Sequence, residues 1–190
     1  MIIKHIIIFL FIFVFVGCSD IYQPKPKAYL SLNYPYPNYK KNDLDSQFNY
    51  EYNSFAEIKN APKGQNIFYP ELKATLYLSY SIIKNNLDSL LNDAYKLPTK
   101  HIRKAQEIPE RIFINQKKKV YGTMFNVVGD AASQIQFFLT DSTHNFLIGS
   151  LYFYAKPNYD SILPALKYIE KDIIKLIETL EWDNKSDNKL

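Results

Sequence analysis

Four apolar runs in the second half of the chain follow one another across very short polar connections. Residues 111–114 and 120–128 are separated by the polar segment 115–118, and residues 134–140 and 146–155 are joined by 141–145. Parallel strands need a crossover of a dozen residues or more, so strands this close in sequence must pair antiparallel. The chain is therefore expected to contain an antiparallel meander.

Residues 72–82 show the clearest strand pattern. Alternate positions are apolar and predict a buried face: Leu72, Ala74, Leu76, Leu78, Tyr80 and Ile82. The positions between them predict the opposite face: Lys73, Thr75, Tyr77, Ser79 and Ser81,. Shorter alternations predict further strands at 28–34 and 48–53.

Two amphipathic helices are predicted beside these strands. Asn85 or Asn86 is expected to cap the first, and Pro98 to kink or end it, with a further turn or two over 99–106. The second is predicted from Asp160 to about Trp182. Its apolar stripe recurs at spacings of 4, 3, 4, 3 and 4, which predicts burial against the sheet: Ile162, Leu166, Ile169, Ile173, Leu176 and Leu180,.

The order of these elements is strands, helix, strands, helix. This order predicts an α+β domain with helices packed on one face of an antiparallel sheet. It is similar to the small PsbP and Mog1-like fold, a likeness of topology that says nothing about function. We assign the single domain to residues 28–182 and a polar tail to residues 183–190.

The first 17 residues predict a secretory signal peptide. Lys4 precedes eleven apolar residues (6–16), and the small residue Gly17 precedes Cys18,. A spanning helix needs about 20 apolar residues, so this run is too short to remain as an anchor. The sequence Val16-Gly17-Cys18 resembles the lipobox of bacterial lipoproteins, in which the cysteine is acylated and becomes the first residue. The alternative is an unmodified, buried cysteine in a secreted protein.

Lipidation at Cys18 would tie the protein to a membrane outside the cytoplasm. Residues 18–27 would form the lipidated tether, which Pro24 and Pro26 favour as an extended segment. Ser19 resembles the sorting signal that permits export to the outer membrane, where the protein would face the periplasm. Since Cys18 is the only cysteine, no disulfide is available and packing must stabilise the fold.

The charge pattern does not indicate a nucleic-acid partner. The formal net charge is only +4, and the basic triplet Lys117-Lys118-Lys119 is predicted to lie in a solvated hairpin turn.

The sequence predicts no catalytic residue, no cofactor and no metal site. His101 is expected at the edge of the first helix. Asp141, Ser142 and His144 have the residue types of a catalytic triad, but a five-residue loop rarely supplies the required geometry. No His or Cys spacing suits a metal. A pair of carboxylates of the glycosidase type would be visible only in space, so sequence leaves that possibility open.

Four segments resemble the gliding-motility lipoprotein GldD family of the Bacteroidota. They are PKPKAYLSLNYP (24–35), YPELKATLYLSY (69–80), NLDSLLNDAYKL (86–97) and the long block 118–182. The resemblance implies a cell-envelope lipoprotein required for gliding, associated with the machinery that moves surface adhesins and with type IX secretion. It implies no enzymatic activity or cofactor. Many family members carry two cysteines near the positions of Ser46 and Lys63, and this chain has neither.

Two functions therefore compete. The first is a lipid-tethered structural or assembly module that binds other envelope motility proteins through a sheet or aromatic surface. The second is a periplasmic ligand-binding protein or an unrecognised envelope enzyme. A filled core with an exposed Tyr/Phe patch would favour the first, and a large apolar pocket with converging polar groups the second.

Overall fold

The computed structural model describes residues 34–183 except 43, 45, 101, 102 and 157. The predicted signal peptide, Cys18, the tether and residues 28–33 of the first predicted strand lie outside the described residues. Residues 184–190 of the predicted polar tail also lie outside them. The domain boundaries at both ends therefore stay predictions.

The described residues contain thirteen strands and two α-helices. In chain order these are β1 (Tyr39–Lys41), β2 (Phe48–Asn49), β3 (Glu51–Asn53), β4 (Glu57–Ala61), β5 (Gly64–Tyr69), β6 (Ala74–Ile82), α1 (Leu87–Thr99), β7 (Ala105–Glu107), β8 (Glu110–Asn115), β9 (Val120–Asn126), β10 (Val128–Gly129), β11 (Ser133–Thr140), β12 (Asn145–Phe153), α2 (Tyr159–Thr179) and β13 (Glu181–Trp182).

Seven of these strands form one antiparallel sheet in the order β4-β5-β6-β12-β11-β9-β8. Every neighbouring pair in it runs antiparallel, including β8–β9 and β11–β12, the two pairs that the short connections predict. Three small antiparallel pairs accompany the sheet: β1 with β3, β2 with β13, and β7 with β10. The predicted α+β class with an antiparallel sheet is confirmed.

The alternation predicted for residues 72–82 is present in the middle of β6 but not at its ends, where Thr75 is buried and Ile82 is exposed. Leu76 and Leu78 are buried, whereas Tyr77 and Ser79 are exposed. The strand begins at Ala74, two residues later than predicted, because Pro70–Leu72 form a 3₁₀ turn closed by Lys73 in the left-handed region. The alternation at 48–53 forms two short strands, β2 and β3.

The two helices lie on opposite faces of the sheet, which corrects the prediction that they share one face. Phe137 and Leu139 of β11 belong to the core that packs under α2, whereas Phe138 belongs to the cluster under α1. Successive side chains of a strand point to opposite faces. Since β11 is apolar at three successive positions, both faces need a cover, and all eight of its residues are buried.

The region after α1 differs from the sequence prediction. Pro98 lies in the last turn of α1, so the helix ends one residue after it. The expected further helical turn over 99–106 is wrong at its C-terminal end, where β7 begins at Ala105. The backbone there pairs with β10, and this long-range pairing replaces local helical hydrogen bonds.

The α2 stripe is confirmed, but the helix is shorter than predicted. Of its six predicted residues Ile162 is half-buried, and the other five are buried: Leu166, Ile169, Ile173, Leu176 and Leu180. Asn158 caps the start by accepting a hydrogen bond from the Ser161 amide. The helix ends at Thr179 rather than near 182, because Glu181–Trp182 form β13 against β2.

Candidate functional site

Two of the residues singled out from the sequence, Cys18 and His101, lie outside the described residues. The others that were considered for chemistry lie in the β11–β12 turn. Oδ1 of Asp141 accepts hydrogen bonds from the backbone amides of Thr143, His144 and Asn145, at 2.9, 2.8 and 2.8 Å. Burial acts to raise the pKa of Asp141, but these hydrogen bonds outweigh it and lower the pKa below its usual value,.

The structure does not bring these turn residues together as a triad. Nδ1 of His144 lies 3.2 Å from Oγ1 of Thr143, and the Ser142 amide donates to Oγ1 of Thr140. A triad requires the carboxylate on one imidazole nitrogen and the serine oxygen on the other. The hydrogen bonds of Asp141 instead shape the turn.

The basic triplet lies at the β8–β9 turn, as predicted. Lys118 is engaged there, because its Nζ lies 3.0 Å from Oε1 of Glu181 and donates to the Thr179 carbonyl at 3.2 Å. Within the described ranges no group of three or more His, Cys, Asp or Glu residues could hold a metal ion. Neither helix of those ranges combines the length and the apolar character that crossing a bilayer requires.

A cluster of three tyrosines lies on the half of the sheet that α1 leaves open. We call it the tyrosine face. It consists of Tyr77 on β6, Tyr152 near the end of β12 and Tyr154, which follows β12 directly. Their side chains are 39%, 38% and 60% exposed, respectively. The contacts of α1 lie farther along the sheet, on Phe125, Phe138 and Phe146.

Contacts between the tyrosines hold this face in one arrangement. The Tyr77 and Tyr152 rings meet edge to face with centroids 5.7 Å apart. The Tyr154 hydroxyl lies 2.9 Å from Oγ1 of Thr75 and 3.2 Å from the Tyr77 hydroxyl. The tyrosine face thus combines aromatic rings and hydroxyl groups in a defined arrangement, and tyrosine is among the residues enriched at protein interfaces.

The other face of the sheet carries an aromatic cleft of about 410 Å³. It opens between the N-terminal end of the described chain, the connection between β3 and β4, the end of β5 and the first half of α2. Its lining residues are mostly aromatic: Tyr34, Pro35, Phe55, Tyr69, Glu71, Leu72 and Tyr168. The Tyr34 and Tyr168 rings stack with centroids 5.1 Å apart, and the Tyr168 hydroxyl donates to the Pro35 carbonyl at 3.0 Å.

A buried carboxylate, Asp172, lies behind the wall of this aromatic cleft. Oδ1 of Asp172 accepts from the Tyr39 hydroxyl at 2.8 Å, and Oδ2 accepts from Nδ2 of Asn53 at 3.1 Å. The Tyr69 hydroxyl, whose ring lines the cleft, is a further hydrogen-bond partner. Burial raises the pKa of Tyr69, so this hydroxyl stays protonated and able to donate.

The sequence prediction missed Asp172, although the sequence contains a signal for it. Residues 169, 172 and 176 are spaced by three and four, so Asp172 falls within the apolar stripe of α2 rather than on its solvated side. A carboxylate at a stripe position is expected to be buried with hydrogen-bond donors. Its partners Tyr39 and Asn53 are more than a hundred residues distant, and no sequence pattern identified them.

Comparison with known proteins links the chain to a protein family. The family model described as gliding motility lipoprotein GldD matches residues 19–182. Searches of curated proteins and of solved structures give no match for this chain.

Proposed function

The chain belongs to the gliding motility lipoprotein GldD family, and on this basis we propose that it is a lipid-anchored assembly module of the motility machinery. Family membership makes it a lipoprotein of the cell envelope with a part in gliding. The further statements, that it assembles other envelope motility proteins and works with type IX secretion, are our proposal.

We propose Cys18 as the lipidated residue. It follows an apolar run and a small residue, and it lies one position before the segment that the family model matches. Two or more acyl chains give stable membrane attachment, whereas one chain gives only a marginal hold. Ser19 supports sorting to the outer membrane, with the folded domain facing the periplasm.

The observation that carries the assembly function is the tyrosine face. Its three rings are partly exposed, yet they are fixed by contacts with one another and with Thr75. Tyrosine offers apolar area at low entropic cost and a hydroxyl for a hydrogen bond, which suits a protein partner. The proposed occupant of this face is another envelope protein of the motility machinery.

Replacing Tyr77, Tyr152 and Tyr154 together by serine tests this function in cells that lack the native protein. We expect normal abundance and membrane attachment, but loss of gliding. A photo-crosslinking residue at position 154 should in addition capture a motility protein. The matched control is Tyr36→Ser, because Tyr36 is 96% exposed and lies outside the tyrosine face. Normal gliding by the triple variant would contradict the proposal.

We also propose that the function is non-catalytic, and the same cells test the enzyme alternative. Cells that carry Ser142→Ala, His144→Gln or His101→Gln should glide normally. Removal of a catalytic residue usually costs orders of magnitude in rate. If one of these variants is present at normal abundance and abolishes gliding, an envelope enzyme replaces the assembly module as the better explanation.

A further inference from the structure

We propose that the aromatic cleft binds a small organic cation that carries a methylated ammonium group. This site lies on the α2 side of the sheet, opposite the tyrosine face, and the inference does not rest on the proposed assembly function.

The rings of the cleft suit a cation. Four of the seven lining residues are aromatic: Tyr34, Phe55, Tyr69 and Tyr168. A cation over the face of such a ring is attracted by the ring quadrupole, and cages of several rings are a known means of recognising quaternary ammonium groups. Stacking with Tyr34 and the hydrogen bond to the Pro35 carbonyl hold the Tyr168 ring in place. The stacked pair of rings therefore forms one fixed aromatic wall of the cleft.

The charge around the cleft favours the same ligand. Among the described residues that line it, Glu71 is the one acidic or basic side chain. Since no lysine, arginine or histidine is among the described residues of the lining, an entering cation would meet the Glu71 carboxylate without a competing base.

The size and chemistry of the cleft favour a methylated ammonium group over a primary ammonium group. A volume of about 410 Å³ lies within the range of small-ligand pockets, roughly 300–1,000 Å³,. A primary ammonium group would lose hydrogen bonds to water on entering a wall of rings. A methylated ammonium group donates fewer of them or none, so it enters at a lower desolvation cost.

Calorimetric titration of the full-length protein in a non-ionic detergent tests the proposal with choline as the probe. The matched control ligand is 3,3-dimethylbutan-1-ol, which has the same shape but carries carbon in place of the charged nitrogen. We expect saturable choline binding, with the neutral isostere about tenfold weaker. Equal binding of the two ligands, or no saturable choline binding, would overturn the proposal.

Matched variants locate the site. Phe55 is 48% exposed, so Phe55→Ala should fold and should weaken choline binding about three- to fivefold. Glu71→Gln, which removes the lining charge, should weaken it about twofold. The controls Tyr95→Ala, which lies on α1 and is 46% exposed, and Glu110→Gln, outside the cleft, should leave it unchanged. If either control lost as much affinity as its cleft counterpart, the cation would be binding elsewhere and the proposal would fail.

Discussion

Asp172 occupies an environment that carboxylates rarely tolerate. It is 2% exposed, within the apolar stripe of α2, and its hydrogen-bond partners Tyr39, Asn53 and Tyr69 carry no positive charge. An ionised group without a cationic partner bears most of its desolvation cost in a buried site. Burial therefore raises the pKa of Asp172, although the hydrogen bonds from these three residues act in the opposite direction.

The raised pKa predicts how stability depends on pH. The folded protein binds the Asp172 proton more readily than the unfolded chain does, so this group's contribution to stability falls as pH rises from about 4, the ordinary value, through the folded-state pKa. Relative to Asp172→Asn, the native protein should therefore gain stability as pH is lowered from 7 toward 4.

Urea unfolding of both proteins at several pH values measures this difference. Because other groups titrate in both proteins alike, the difference between the two free energies of unfolding isolates Asp172. The opposite result, a native protein that loses stability relative to Asp172→Asn as pH is lowered, would contradict this prediction. It would show that the folded protein favours the ionised form of Asp172.

At the scale of elements, α2 and β11 carry the core. The stripe of α2 packs on one face of the sheet, and β11 is buried on both faces because α1 covers the other. Local periodicity was sufficient to predict the α2 stripe. The successive apolar residues of β11 also indicate burial on both faces. The prediction that both helices share one face of the sheet did not take this into account.

Truncation within the α2 stripe should destabilise the domain strongly. Ile173 has no exposed surface, and removing a buried isoleucine side chain down to alanine costs about 2–5 kcal/mol because it leaves a cavity. We expect Ile173→Ala to lower the free energy of unfolding by more than about 2 kcal/mol. Lys171 is exposed, so Lys171→Ala should change it by less than about 0.5 kcal/mol.

Urea melts of the two variants provide the comparison, since both positions lie in the same helix two residues apart. Similar losses in the two variants would contradict the burial of the stripe.

At the scale of the whole molecule, the domain offers two distinct aromatic surfaces. The tyrosine face is open and lies on the α1 side, whereas the aromatic cleft is concave and lies on the α2 side. Tyr34, at the N-terminal end of the described chain, lines the cleft. The described chain therefore begins beside the cleft and not beside the tyrosine face.

Membrane attachment should depend on Cys18. Fractionation of cells that carry Cys18→Ala should find the protein outside the membrane fraction, because two or more acyl chains are what make anchoring stable. Mass spectrometry of the native protein should find an acylated N-terminal peptide beginning at Cys18. A Cys18→Ala protein that still sediments with membranes after a high-salt wash would show that something other than lipid holds it.

The features that the sequence alone determined are those that depend on neighbours in the chain. The period of two in β6 and the spacing of the α2 stripe each reflect one side of an element meeting the core. Short connections forced antiparallel pairing, and the resemblance to the GldD family is confirmed over residues 19–182.

Tertiary structure decided what depends on residues distant in the chain. The end of α2 follows from β13 pairing with β2, and β7 replaced a predicted helical turn because β10 lies beside it. Asp172 meets Tyr39 across 133 positions, and the aromatic cleft joins four separate segments. Periodicity reports which side of an element is buried, but not what covers it. That choice belongs to the long-range contacts that close the core.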